Sequence, residues 1–153
     1  MFAFLLALHS LFRWIILMLL LLNLYHAVHG IRHQRSFSKT DNLLRHWAAT
    51  AMHMQLIIGI VLYSKSALVA YYWSVNDTPK ASDPAFFALI HLLLMVAAVV
   101  IISIGSALVK RRGDDRVKFM TTLTWYSIGF LILLIAIPWP FSPLSHRPFI
   151  RPF

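Results

Sequence analysis

Four apolar stretches, Leu5–Val28, Trp47–Tyr63, Ala85–Val109 and Phe119–Trp139, fill most of a 153-residue chain and leave it few ways to fold. A helix rising 1.5 Å per residue needs about 20 apolar residues to cross the hydrocarbon of a bilayer, and each stretch approaches or exceeds that length. None alternates with the period of two that a barrel strand shows, and all are far longer than ordinary strands. Inside hydrocarbon the backbone has no water to bond, so helix is the structure that remains. The chain therefore reads as an all-α membrane protein. Its four transmembrane helices are predicted over about 5–28, 47–66, 85–109 and 119–138, with a proline- and aromatic-rich tail over 139–153. The second stretch is the most interrupted and is open to continuation through Ser64–Ala70. Short connections make an up-down-up-down bundle the default arrangement.

The residues are 59% hydrophobic and 12% charged, with a mean hydropathy of +0.72, which a soluble domain of this size does not show. The first stretch reads as a membrane helix rather than a cleaved signal. No basic segment precedes Phe2, the run is too long, and no small-residue cleavage pattern follows. Cysteine is absent, which excludes disulfides, thiolate metal sites and thioether-linked haem. Glutamate is absent too, and the five aspartates (Asp41, Asp77, Asp83, Asp114, Asp115) are expected in loops. That placement leaves no carboxylates for a proton relay in the membrane or a paired-carboxylate hydrolase.

The formal net charge of +9 is concentrated in two places. Arg32, Arg35, Lys39 and Arg45 surround the first connection, and Lys110, Arg111, Arg112, Arg116 and Lys118 surround the third. Lys65 and Lys80 in the second are balanced by Asp77 and Asp83. Cytoplasmic loops carry such an excess of Lys and Arg, so both termini are expected to be non-cytoplasmic. The basic charge then serves topology and contact with anionic lipid, and no nucleic-acid partner is expected.

Helix boundaries carry local signals. His29-Gly30 closes the first helix, and Ser38-Lys39-Thr40-Asp41 supplies cap residues for the second. Tyr71, Tyr72 and Trp73 favour the bilayer interface, Asn76-Asp77 has turn chemistry, and Asp83-Pro84 suits a helix start. A short turn at Gly113-Asp114-Asp115 makes the last two helices a hairpin. Ile137-Pro138-Trp139-Pro140 ends the fourth, with Trp139 as an interfacial anchor. The tail is expected to lie as an extended strap on the membrane or on a partner.

Histidine within an apolar span is expensive and marks a functional candidate. From the centres of the apolar runs, His9 and His91 are expected ~12 Å and ~9 Å from the midplane on the outer side, and His53 and His26 ~6 Å and ~13 Å on the cytoplasmic side. In such a bundle the first and third helices lie on a diagonal. Two imidazoles facing each other at one depth, with Phe12, Leu94 and Met95 as apolar walls, are what a single six-coordinate b-type haem needs. Arg13, one turn from His9, is placed either to neutralise a propionate or to snorkel outward beside Trp14. The alternatives are an interfacial His9 bonded to water or headgroups, and a structural His91 bonded to a neighbouring helix.

His53 has no partner of its own type, since the fourth helix reaches that depth near Trp125 and Tyr126. Asn23, Thr50, His53, Gln55, Thr124 and Ser127 form a polar set at about this level, fit for a quinone head group or for hydrogen bonds between helices. His26, His29, His33 and His46 belong to a solvated basic loop, and His146 to the tail. Met18, Met54 and Met95 near the midplane offer thioethers that with imidazoles handle copper, although methionine is also the usual filler of apolar cores.

His9-Ser10-Leu11-Phe12-Arg13-Trp14, His53-Met54-Gln55-Leu56 with Gly59 and Tyr63, His91, and Ile137-Pro138-Trp139-Pro140-Phe141 together resemble a family of small four-helix bacterial integral membrane proteins labelled cytochrome b or cytochrome b-like. More distantly the layout is similar to transmembrane b-type cytochromes and to the copper resistance protein D family. The resemblance spans nearly the whole chain. It implies a bacterial cytoplasmic (inner) membrane, and His9, His53 and His91 as functional positions supported by Arg13 and Gln55. Unlike a di-haem cytochrome, the fourth helix carries no histidine. Three functions follow as expectations. The first is an electron carrier with one haem b between His9 and His91, exchanging electrons with quinone. The second is a non-catalytic subunit of a larger respiratory or transport complex, and the third a copper-handling membrane protein.

Overall fold

The computed structural model describes residues 1–75, 79, 82–143, 145 and 147–149. The expectations for Asn76, Asp77, Lys80 and His146 lie outside the described residues. Those described form five helices and no strand: α1 (Phe2–Arg32), α2 (Lys39–Lys65), α3 (Ala67–Ser74), α4 (Asp83–Arg111) and α5 (Asp115–Ala136). α1, α2, α4 and α5 are each long and apolar enough to cross a membrane. Only 28–33% of the residues in their most apolar parts are buried inside the protein. Leu11, Met18, Leu21, Ile57, Leu93, Val100, Leu131 and Ile135 instead point outward, a surface that lipid must cover. The protein is a multi-pass membrane protein.

Helix ends follow capping chemistry rather than the limits of the apolar runs. α2 begins at Lys39, well before the apolar run at Trp47, because Ser38 and Asp41 form a reciprocal capping box. Asp41 is therefore helical and buried, where a loop carboxylate was expected. Its oxygens accept from Arg35 Nη1 (2.6 Å) and Nη2 (2.7 Å), His26 Nδ1 (2.9 Å), and the Ser38 N–H (2.8 Å) and hydroxyl (2.7 Å), tying α1 to α2. The second run does not continue as one helix: the chain breaks at Ser66, which caps the short α3. Asp83-Pro84 opens α4 as expected, with the Ser82 hydroxyl accepting from Ala85 N–H. A π-turn, Phe86–Ile90, follows at once, its His91 N–H bonded to the Phe86 carbonyl.

The four long helices alternate in direction. Gln55 near the end of α2 bonds the backbone of His9, and Asn23 further along α1 bonds that of Leu44. Arg45 reaches Ser106, while Tyr63 reaches Ala88. α1 packs on α2 and α5, and α4 on α5 and α2, which leaves α1 and α4 on a diagonal. Ile16, Leu20, Ala98, Ile102, Tyr126 and Leu133 fill the centre. The two basic connections meet at one end, where Phe37 packs on Phe119 and Lys118 sits over Phe37.

α4 and α5 approach closely through small residues, the usual device for helices in lipid. A Cβ on Gly105 would overlap the Trp125 side chain, and one on Gly129 would lie 2.6 Å from Ile102 Cδ1. Gly105→Leu should force the pair apart and lower stability by about 1–3 kcal/mol, read as a fall in the thermal midpoint of the detergent-solubilised protein.

Candidate functional site

At the end of the bundle opposite the basic connections, the helices enclose a cavity of about 590 Å³, a volume within the range of cofactor sites. Its wall is mostly apolar, and its polar groups come from every long helix but α5. His9, Ser10 and Arg13 come from α1, Gln55 and Tyr63 from α2, and Asp83 and His91 from α4. Arg147 and Pro148 of the C-terminal segment complete the lining.

The two imidazoles meet here. Ring centroids of His9 and His91 are 6.4 Å apart, with planes inclined at 64°. His91 Nδ1–H donates to the Ala136 carbonyl at 2.9 Å. That carbonyl belongs to the last turn of α5, which has no intrahelical partner for its terminal C=O groups, so the bond also caps the helix. It fixes the tautomer and leaves Nε2 as the lone-pair nitrogen. His9 Nδ1 is buried without a hydrogen-bond partner, and so is Gln55 Oε1, although Gln55 Nε2 donates to the His9 carbonyl at 2.9 Å. Buried polar atoms of this kind are rare in folded proteins and point to a group that completes the site. A Cβ on Gly59 would stand 3.4 Å from His9 Cε1, in ordinary van der Waals contact with the ring.

The spacing suits a metal between the rings. Two metal–nitrogen bonds of ~2 Å, with about 1 Å from each nitrogen to its ring centre, place the centroids ~6 Å apart. Two imidazoles are also a donor pair that can hold a b-type haem. Among the described residues no group of three or more His, Cys, Asp or Glu converges.

Arg13 lines the same cavity and lies beside Trp14. Its Nη2 donates to the Phe149 carbonyl at 2.5 Å, and its guanidinium lies 5.4 Å from the Trp14 ring centre and 5.8 Å from that of Trp139. His53 is elsewhere. It faces outward between α2 and α4, with Nδ1–H donating to the Ala49 carbonyl (2.7 Å) and Nε2 lying 3.1 Å from the Ser103 hydroxyl. The polar set around it is dispersed as well: Asn23 bonds Leu19 and Leu44 carbonyls, while Gln55 belongs with His9. Met95 lines the cavity, but Met18 and Met54 are exposed on the outer surface.

Sequence reasoning did not place Asp83 or Arg147 in the site. The signal was charge at an otherwise balanced end of the bundle, a lone carboxylate at the start of α4 and an arginine in the tail. In the C-terminal segment Ser145 and Arg147 bond Asp83, and Phe149 packs beside Trp14 and Trp139. Tyr63 is placed by donating to the Ala88 carbonyl (3.2 Å) and accepting from Trp73 Nε1 (3.1 Å), which ties α3 to the cavity rim. No family model, curated protein or solved structure matches the chain.

Proposed function

We propose that the protein is an electron-transfer membrane protein that holds one b-type haem between His9 and His91. The observation that carries this reading is the pair of imidazoles brought from diagonal helices to 6.4 Å across one largely apolar cavity. When bound, haem would supply one-electron redox chemistry. The chain's own residues supply the rest. His91 is oriented by the Ala136 carbonyl, and His9 is braced through its backbone by Gln55. The apolar wall excludes water, and Arg13 brings positive charge to the rim. The excess of Lys and Arg in the first and third connections supports a cytoplasmic placement of those connections, with both termini outside.

Quinone is the partner class that a carrier embedded in lipid implies. The reading does not depend on His53, whose two ring nitrogens already have protein neighbours. The deciding experiment is a reduced-minus-oxidised absorption spectrum of the detergent-purified protein, with a haem assay on the same sample. The expected result is a b-type difference spectrum and about one haem per chain, as one axial pair provides. A protein that stays colourless after haem supplementation overturns the proposal.

A further inference from the structure

The cavity mouth holds an ion pair that the haem reading does not use. Arg147 Nη2 donates to Asp83 Oδ2 at 2.6 Å, and Ser145 Oγ donates to Asp83 Oδ1 at 2.7 Å. The Arg147 guanidinium lies 5.1 Å from the Phe87 ring centre, and Phe87 is itself part of the cavity wall. Arg147 Nε is buried without a partner. A guanidinium is a planar fork whose neighbouring N–H groups take the two oxygens of a carboxylate together. Asp83 engages only one arm of that fork.

We propose that this cavity recognises a carboxylate on an amphiphilic ligand, and that Arg147 takes it, with Asp83 holding the guanidinium in place of the ligand. Three features support this. The unpaired Nε is a buried donor that an entering acceptor would satisfy. The described lining carries two guanidiniums, Arg13 and Arg147, against the single carboxylate of Asp83, a balance that favours a monoanionic group. The remainder of the wall is apolar, so the ligand that brings the carboxylate has a hydrophobic body. The inference rests on the haem reading only for the identity of that body. A haem propionate and the head group of a fatty acid are the two sources of the same chemistry.

The test compares matched ligands that differ only in the carboxylate, using the full chain in detergent and its tryptophan fluorescence. Haem is titrated against haem dimethyl ester, and palmitate against hexadecanol. The wild-type chain is expected to prefer free haem over the diester about tenfold, the scale of one charge-assisted contact, and R147Q to bring that ratio close to one. D83N, which removes the internal competitor, should strengthen carboxylate binding several-fold. An unchanged ratio in R147Q overturns the proposal, as does weaker or unchanged carboxylate binding in D83N. If no porphyrin binds the wild-type chain, the haem reading fails alone. The preference for palmitate over hexadecanol, and its loss in R147Q, then decides this one: a retained or absent preference overturns it.

Discussion

If haem is held as proposed, His91→Ala is expected to strip it from the protein, and His9→Ala to do the same, while His53→Ala keeps the b-type spectrum. On the proposed reading, each of the first two removes one of the two imidazoles that meet at the cavity, where among the described residues no group of three or more His, Cys, Asp or Glu converges. Replacing supporting groups around a metal ligand commonly costs 10–100-fold in affinity, so losing a ligand itself should exceed ~100-fold. Haem content of purified variants, normalised to protein, reads this directly. The His53 variant is the control that matters. That side chain faces outward and joins α2 to α4, so its loss should cost at most about 1 kcal/mol of stability. A His53 variant that lost haem while the His9 variant kept it would end the axial assignment.

Asp41→Ala should produce the largest loss of stability of any single substitution at the basic end. The carboxylate is 4% exposed and accepts from Arg35, His26 and Ser38 together. Its removal leaves the Arg35 guanidinium, which also lies 4.7 Å from the Phe119 ring centre, without its anion and undoes the cap of α2. Breaking a fully buried pair by deleting one member costs roughly 3–5 kcal/mol, and the 26% exposure of the Arg35 side chain sets the cost here toward or below the lower end of that range. Asp114→Ala is the fair comparison, because Asp114 also caps a helix, through the Val117 N–H at 2.8 Å, but in an exposed setting. That change should cost about 1 kcal/mol. Unfolding midpoints of the two variants in a mixed-detergent titration should separate accordingly, and equal midpoints would show that the Asp41 cluster is not a stabilising unit.

The membrane helices were legible because hydrocarbon allows no alternative to helix, and the depth arithmetic that paired His9 with His91 needed only a rise per residue. Caps were legible wherever the chemistry is local, at Ser38 with Asp41 and at Asp83-Pro84. What escaped was decided by contacts far along the chain. Nothing near Arg147 in sequence announces Asp83, and nothing around Ala136 announces that its carbonyl will orient His91. Gln55 and His53 are two residues apart, so their separation is a matter of helix rotation. Gln55 turns inward to His9 while His53 turns out, a distinction that depth alone does not draw. The second helix ends beside the predicted limit of 66, and the continuation left open through Ser64–Ala70 is the separate helix α3.

The wide turn at Phe86–Ile90 has a consequence for how the site is aimed. Asp83 and His91 are eight residues apart, and at 100° per residue an unbroken α-helix would set them about 80° apart around its axis. A π-turn absorbs one extra residue, so the effective step is seven and the offset shrinks to about 20°. Both side chains consequently border the same cavity, the carboxylate at its mouth and the imidazole in its wall. The register between rim and imidazole thus depends on the extra residue being taken up as a π-turn. The same eight residues wound as plain α-helix would turn the two side chains about 80° apart, whereas a chain shortened by one residue there would become regular α-helix and keep them about 20° apart.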